Sequence, residues 1–229
     1  MGRFSSFAIS NYPNITKVTI ADLNENNAKE FSNLFDDRFT GIGLDVTDKE
    51  HLEKIMSDHD IVLNTTGPFF KFGLSILKSA IKCKCHYFDI CDDWEPTEEM
   101  LKLNDEALKS EITAIVGLGA SPGISNLLGL KAMNELDKTE SIITGWDVSS
   151  AKPEDESSQK GTNAAMEHGL QQISGEIKVY KDKKYKLTKP LEKIKIQYPG
   201  RGNHDAFIFG HPEAITFPHH FNDLKESVN

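Results

Sequence analysis

Asp89, Asp92 and Asp93 cluster where the run His86-Tyr87-Phe88-Asp89-Ile90 gives way to Cys91-Asp92-Asp93-Trp94. A carboxylate at the end of a strand can take up or give a proton, and Asp92 and Asp89 are the candidate catalytic acids. Capping of the helix that Pro96-Thr97-Glu98-Glu99 begins accounts for one of these acids and does not need all of them. Asn64-Thr65-Thr66-Gly67-Pro68 closes a second apolar run, Ile61-Val62-Leu63, in small polar residues and a turn. Open α/β sheets bind ligands where a strand breaks this way before a helix, so Asn64, Thr65, Gly67 and Pro68 are candidate cofactor contacts. An ordinary strand-to-helix loop is the alternative. Asp22 ends a third run, and Gly2 stands about 20 residues before it, the spacing of a glycine turn and a ribose-binding acid in dinucleotide folds. Helix capping explains Asp22 equally simply. Asp45 and Val46 follow the next strand, at the place where such folds pass the adenine ring; for Asp45 the alternative is again the start of a helix.

Other reactive residues point less far. Cys83-Lys84-Cys85-His86 with Cys91 has zinc-ligand chemistry, but a strand throws neighbours onto opposite faces, and cysteine as a small buried apolar residue suffices. Gly119-Ala120-Ser121-Pro122-Gly123-Ile124-Ser125-Asn126 precedes an apolar helix, so its amides either hold an anionic group or simply make a tight turn. Histidines fall at His168, His204, His211, His219 and His220, and their spacing assigns no role. No strand-turn nucleophile with a Ser/His/Asp order is visible, which disfavours hydrolase chemistry.

The elements that must position these residues alternate through the first half. The spacing predicts a helix over 4–10, a strand over 16–22, a helix over 26–35, a strand over 41–46 and a helix from the Thr47-Asp48 cap through Ile55. Ile61–Leu63 reads as a strand buried on both faces. Phe72, Ile76, Leu77, Ala80 and Ile81 keep helical spacing. Residues 83–93 read as a strand, 96–108 as a helix, 112–117 as a buried strand, and the segment through Leu127, Leu128, Leu130, Ala132 and Leu136 as a helix. From Glu140 the alternation stops. Residues 142–148 read as a strand, 149–161 as a polar linker and 163–173 as an amphipathic helix ended by Gly175. A hairpin turns at Asp182-Lys183, and 194–196 and 206–209 complete an antiparallel sheet.

The 229 residues carry a formal net charge of -9 with no run of lysine or arginine, which argues against nucleic acid or an anionic membrane as partner. No apolar run approaches a spanning helix, and Met1-Gly2-Arg3-Phe4 starts no signal peptide. Three cysteines cannot all pair within the chain, which fits a reducing cytoplasm.

Gly67-Pro68-Phe69-Phe70-Lys71-Phe72-Gly73, His86–Ile90, Gly119–Leu127 and Gly210-His211-Pro212-Glu213-Ala214-Ile215-Thr216-Phe217-Pro218 together resemble the saccharopine dehydrogenase / carboxynorspermidine dehydrogenase-like family. The resemblance implies an incomplete Rossmann-type doubly wound parallel sheet over 1–138. A smaller α+β domain with antiparallel strands, of the substrate and dimerisation type, follows over 139–229, so a homodimer is one expected assembly. It also implies NAD or NADP as cofactor, and oxidoreduction at a carbon–nitrogen bond of a small amino-acid-derived substrate. Gly2 matches the last glycine of the family's G-x-G-x-x-G loop, so the strand before that loop, central in the sheet, is expected to be missing, as is the C-terminal part. Without that strand, two sheet edges stand open and tight dinucleotide binding is not expected. Leu23 stands where the family often has arginine, which favours NAD over NADP. The competing function is a non-catalytic dinucleotide- or partner-binding fragment.

Overall fold

The structure, a computed structural model, describes residues 1–147, 169–170 and 172–229. Its chain forms two compact units: Met1–Thr65, Ser75–Tyr87 and Glu106–Ala114 make the first, and Thr66–Leu74, Phe88–Asp105 and Ile115–Asn229 the second. The expected linker over 149–161, His168, and most of the helix expected over 163–173 lie outside the described residues.

The first unit opens with α1 (Gly2–Ser10), β1 (Val18–Asp22), α2 (Glu25–Ser32), β2 (Phe39–Gly43), α3 (Lys49–Met56) and β3 (Ile61–Asn64). Asn24 starts α2 by accepting from the amides of Asn26 and Asn27, and Asp48 starts α3 by accepting from that of His51. β1 and β2 pair in parallel, from Val18 opposite Phe39 to Asp22 opposite Gly43. Gly41 is required there, because a Cβ on it would lie 2.3 Å from the backbone C and O of Ala28 in α2. Phe35 stacks on Phe39 at 4.4 Å and meets Phe7 at 5.0 Å and Phe31 at 5.2 Å, which fixes α1 and α2 on this side. Arg38 secures the chain beyond α1 by donating to the carbonyls of Ser10, Tyr12 and Ile15 while its other bonds go to Asp36.

A second sheet has the order β3, β4 (His86–Asp89), β5 (Ala114–Ile115), linked by α4 (Phe69–Cys83) and by α5 (Trp94–Leu101) with α6 (Asn104–Lys109). The helical spacing holds: Ile76, Leu77, Ala80 and Ile81 are buried. Several expectations need correction. Ile61 and Leu63, expected to be buried on both faces, are 55% and 37% exposed, because these alternate residues share one face of β3 and the described residues leave that face uncovered. The strand expected over 83–93 covers only His86–Asp89, since Cys83 still belongs to α4. The helix expected over 96–108 is two helices; Leu103 N–H bonds back to the carbonyl of Met100, tightening the turn so that both Leu103 and Ala107 are buried. The strand expected over 112–117 shrinks to two residues, because the amide of Gly117, at φ +76°, turns to the Asp89 carboxylate.

The second unit holds α7 (Ile124–Asn134), β6 (Ser141–Ile143), β7 (Ile177–Lys181), β8 (Lys184–Thr188), β9 (Lys193–Tyr198), β10 (Gly202–Phe207), α8 (Glu213–His220) and β11 (Glu226–Val228). The expected hairpin joins β7 to β8, with Asp182 and Lys183 at φ +55° and +62°, the handedness a two-residue hairpin turn demands. β9 and β10, expected in the same sheet, form a hairpin of their own. β11 takes the place instead, parallel to β6 and antiparallel to β7. Val228 thereby joins Ile177, Val179 and Ile208 in one core, against which Ile194 packs. α7 is helical as expected, yet no residue of it is buried.

Candidate functional site

In the first unit the candidates for a dinucleotide sit at strand ends. Asp22 closes β1, exposed, with Oδ1 accepting from the amide of Asn24 at 2.8 Å. This turn and the start of α2 form an open depression lined by Asp22, Leu23, Asn24, Glu25 and Asn26. Leu23 is 77% exposed, and Lys29, the nearby cation of α2, is paired with Glu25 at 2.5 Å. Gly2, the first residue of α1, lies against the end of β3, since a Cβ on it would sit 2.9 Å from Oγ1 of Thr65. Asn64 is buried and donates to the hydroxyl of Tyr87 at 3.0 Å, tying β3 to β4. Asp45 accepts from the amide and hydroxyl of Thr47, and these bonds hold its carboxyl below the usual carboxylate range. Val46 beside it is half-buried.

Within the second unit, hydrogen bonds join two of the segments that carry the resemblance directly, Gly119–Leu127 to Gly210–Pro218, and tie Phe70 and Asp89 of the other two to residues beside those segments. Gly67 and Pro68 lead into α4, where Phe70 N–H donates to Oδ2 of Asp93 at 3.2 Å. Asp89 has no exposed surface. Its Oδ1 accepts from the amides of Cys91 at 3.0 Å and Gly117 at 2.7 Å, and its carbonyl accepts from Leu118 N–H. Asp89 thus braces the base of the turn before α7. Asp92, half-buried, presents its carbonyl to Nε2 of Gln172 at 3.0 Å.

The tip of that turn is gripped from α8. Both Ser121 and Ser125 donate to Oε1 of Glu213, and Asn126 donates to Oγ1 of Thr216 at 3.0 Å. The amides of Gly119, Ile124 and Ser125 bond to carbonyls inside the turn, and that of Gly123 to Oδ1 of Asn126. These bonds support the tight-turn reading of Gly119–Asn126, because those amides are already committed. Gly123, at φ +122°, admits no side chain, since a Cβ would stand 2.1 Å from the carbonyl oxygen of Gly119.

Glu213 is the residue that spacing alone did not disclose. Its carboxylate is fully buried and also accepts from Nδ1 of His211 at 2.5 Å and Nδ2 of Asn229 at 3.3 Å. Burial pushes its carboxyl upward, but His211, Ser121 and Ser125 outweigh burial and leave it below the ordinary value. The available signal was an acid at the head of the apolar run Ala214-Ile215-Thr216-Phe217, which must be answered by partners if it is buried. The cysteines are poor nucleophiles here. Burial pushes the Cys85 thiol up to about 11, and burial with the Asp89 charge pushes Cys91 up as well.

The family model of the saccharopine dehydrogenase NADP binding domain matches residues 6–115. Saccharopine dehydrogenase (NADP(+), L-glutamate-forming) of Saccharomyces cerevisiae is 31% identical over 97 residues, 42% of this chain and 21% of that protein. The protein of the same name from Pyricularia oryzae is 30% identical over 120 residues, 52% of this chain and 25% of that one. The chain therefore spans about a quarter or less of the length of these curated relatives. Among solved structures, apo histidine-tagged saccharopine dehydrogenase (L-Glu forming) from Saccharomyces cerevisiae superposes with a TM-score of 0.61 at 21% identity, covering 97% of this chain and 50% of that one. That likeness is one of fold.

Proposed function

We propose that this chain, of the saccharopine dehydrogenase-like family, serves an NAD(P)-dependent oxidoreductase of amino-acid metabolism that acts on a carbon–nitrogen bond of an amino-acid derivative. The observation that carries the reading is the family match over 6–115, which includes the strand ending in the exposed acid Asp22. The first unit fits a dinucleotide at two points. Gly2, packed against Thr65 without a side chain of its own, stands at the head of α1, where helix amides favour an anionic diphosphate. The exposed carboxylate of Asp22 suits ribose hydroxyls. Asp45 and Val46 would flank the adenine.

Bound at the Asn64–Pro68 segment, the nicotinamide would supply or take the hydride. Thr65 and Gly67 would stand beside the ring, with Asn64 held in place by Tyr87 and Pro68 fixing the entry to α4. Asp92 would hold the substrate amine. Asp89, committed to two amides, would keep the neighbouring turn in position.

The ribose corner favours NAD, although the matching relatives are named for NADP(+). A 2′-phosphate there would face Asp22 and Glu25, with Leu23 offering no charge and Lys29 already paired. The test is to titrate the purified protein with both cofactors and then assay reduced-nicotinamide formation with saccharopine and related amino-acid derivatives. Tight binding is not expected of the chain by itself, so the titration extends to about millimolar cofactor; binding of neither there, or turnover of none of these substrates, overturns the proposal.

A further inference from the structure

Asp93 stands at the N-cap of α5 in extended backbone, yet its side chain makes no capping bond to that helix. A residue of this type usually satisfies one of the first amides of the helix it precedes. The carboxylate of Asp93 reaches back 23 residues instead, where Oδ2 accepts from Phe70 N–H at 3.2 Å. Phe70 is the second residue of α4, so its amide has no partner within the helix. α5 is started by the main chain: the carbonyl of Asp93 accepts from the amide of Thr97 at 3.3 Å and from its hydroxyl at 2.8 Å.

This bond links the two loops to which the oxidoreductase reading assigns the chemistry. Phe70 stands two residues beyond Pro68, in the loop given to the nicotinamide, and Asp93 follows Asp92, given to the substrate amine. Phe70, Gly67 and Pro68 belong to the second unit, as do Asp92 and Asp93. Asp93 is 3% exposed, so its role is to hold other groups rather than to meet a reactant. The main chain around Asp92 is committed as well. Cys91 N–H donates to Oδ1 of Asp89 at 3.0 Å, and the carbonyl of Asp92 accepts from Nε2 of Gln172 at 3.0 Å. The Asp92 turn is thereby fixed at entry, centre and exit, and its exit is fixed to the head of α4.

We propose that Asp93 is a positioning residue for the oxidoreduction: it holds the Gly67-Pro68 loop and the Asp92 turn as one piece, so that nicotinamide and substrate nitrogen keep a set separation. This rests on the oxidoreductase reading. Reacting atoms must stand about 3–3.5 Å apart, and a displacement of about 1 Å costs on the order of a hundredfold in rate. Asp93 neither gives nor takes a proton in this role.

Asp93→Ser separates positioning from a merely structural role. Serine caps a helix as well as aspartate does, but its hydroxyl is one bond shorter and cannot reach Phe70. Asp93→Asn keeps an acceptor oxygen for the Phe70 amide. Amide hydrogen exchange followed by NMR reads the joint without any turnover. In D93S the amides of Phe70, Gly67 and Asp92 are expected to exchange on the order of tenfold faster, and in D93N to be slow again. D93S is expected to keep its melting temperature and lose turnover on the order of a hundredfold, with KM for the amino-acid derivative within about threefold; D93N recovers turnover to within about fivefold. ADP-ribose, which lacks the nicotinamide, should bind all three proteins alike, because Asp22 lies in the first unit. Faster exchange at Phe70 alone overturns the inference, since the bond is then a local cap. It is overturned equally by D93S that does not fold or keeps full turnover, and by D93N that regains slow exchange without turnover. If the unsubstituted protein turns over no amino-acid derivative, the oxidoreductase reading fails, and amide exchange still decides whether Asp93 joins the two loops.

Discussion

A charge shut away from solvent makes stability depend on pH, and Glu213 gives that dependence a sign. Its folded carboxyl sits below the ordinary value of 4.5, so the folded state binds its proton less readily than the unfolded chain does. The stabilisation is therefore fully present above that ordinary value and is lost as pH falls through the lower folded value. Glu213→Gln removes the charge that His211, Ser121 and Ser125 answer, and should cost about 3 kcal/mol in urea unfolding at neutral pH. The acid side of its stability curve should also be shallower than that of the unsubstituted protein. An unchanged midpoint and an unchanged acid limb would make the network energetically neutral. Asp22 and Leu23 carry a second prediction at this scale: Leu23→Arg should raise affinity for NADP relative to NAD by roughly tenfold, one charge-assisted contact to a 2′-phosphate. Competitive titration of the two cofactors reads that ratio. That Asp22 ends a strand was legible because the alternation leading to it is local. Glu213 was not, because its serine partners lie 92 and 88 residues away and only the fold brings them near.

Elements with strong periodicity or a capping residue appear where the sequence puts them. α2 and α3 start at Asn24 and Asp48, and the β7–β8 hairpin turns at Asp182-Lys183. What the pattern could not convey was which side of an element gets covered. Ile61 and Leu63 look like the core of a buried strand, but burial depends on neighbours that periodicity does not specify, and the apolar α7 has no buried residue either. β9–β10 and β11 illustrate the same limit, since alternation marks a strand without naming its partner. Gly41 tests how tightly one pair of elements is fitted. Gly41→Ala places a methyl group 2.3 Å from the backbone of Ala28, so α2 must shift off β2 or the strand must bend. The expected cost is about 2 kcal/mol, read from thermal or urea unfolding. A loss near zero would mean that α2 slides freely over the strand.

At the scale of the whole molecule, the described strands make four separate sheets rather than one continuous sheet. Two of them, β1–β2 and β3–β4–β5, belong to the alternating part of the chain, and β1 and β3 each pair on one side only. A two-stranded pair is marginal by itself, so β1–β2 depends on the aromatic cluster of Phe7, Phe31, Phe35 and Phe39 for its hold. The open side of β3 has a different consequence. Its unpaired backbone groups stand beside Ile61 and Leu63, apolar residues two apart on one exposed face, and an apolar open edge is a template for pairing with another chain. The net charge of -9 opposes such contact at long range but is screened within about 8 Å at physiological salt, so self-association should grow as salt is added. Leu63→Lys places a charge on the exposed face, where the stem can lie along the strand and the ammonium remain in water. It should reduce the light scattering of a concentrated sample and its salt dependence, while the unfolding free energy changes by no more than about 0.5 kcal/mol. Scattering as strong in Leu63→Lys as in the unsubstituted protein would exonerate this edge. A large loss of stability would instead show that Leu63 is covered in solution by a surface the described residues do not supply.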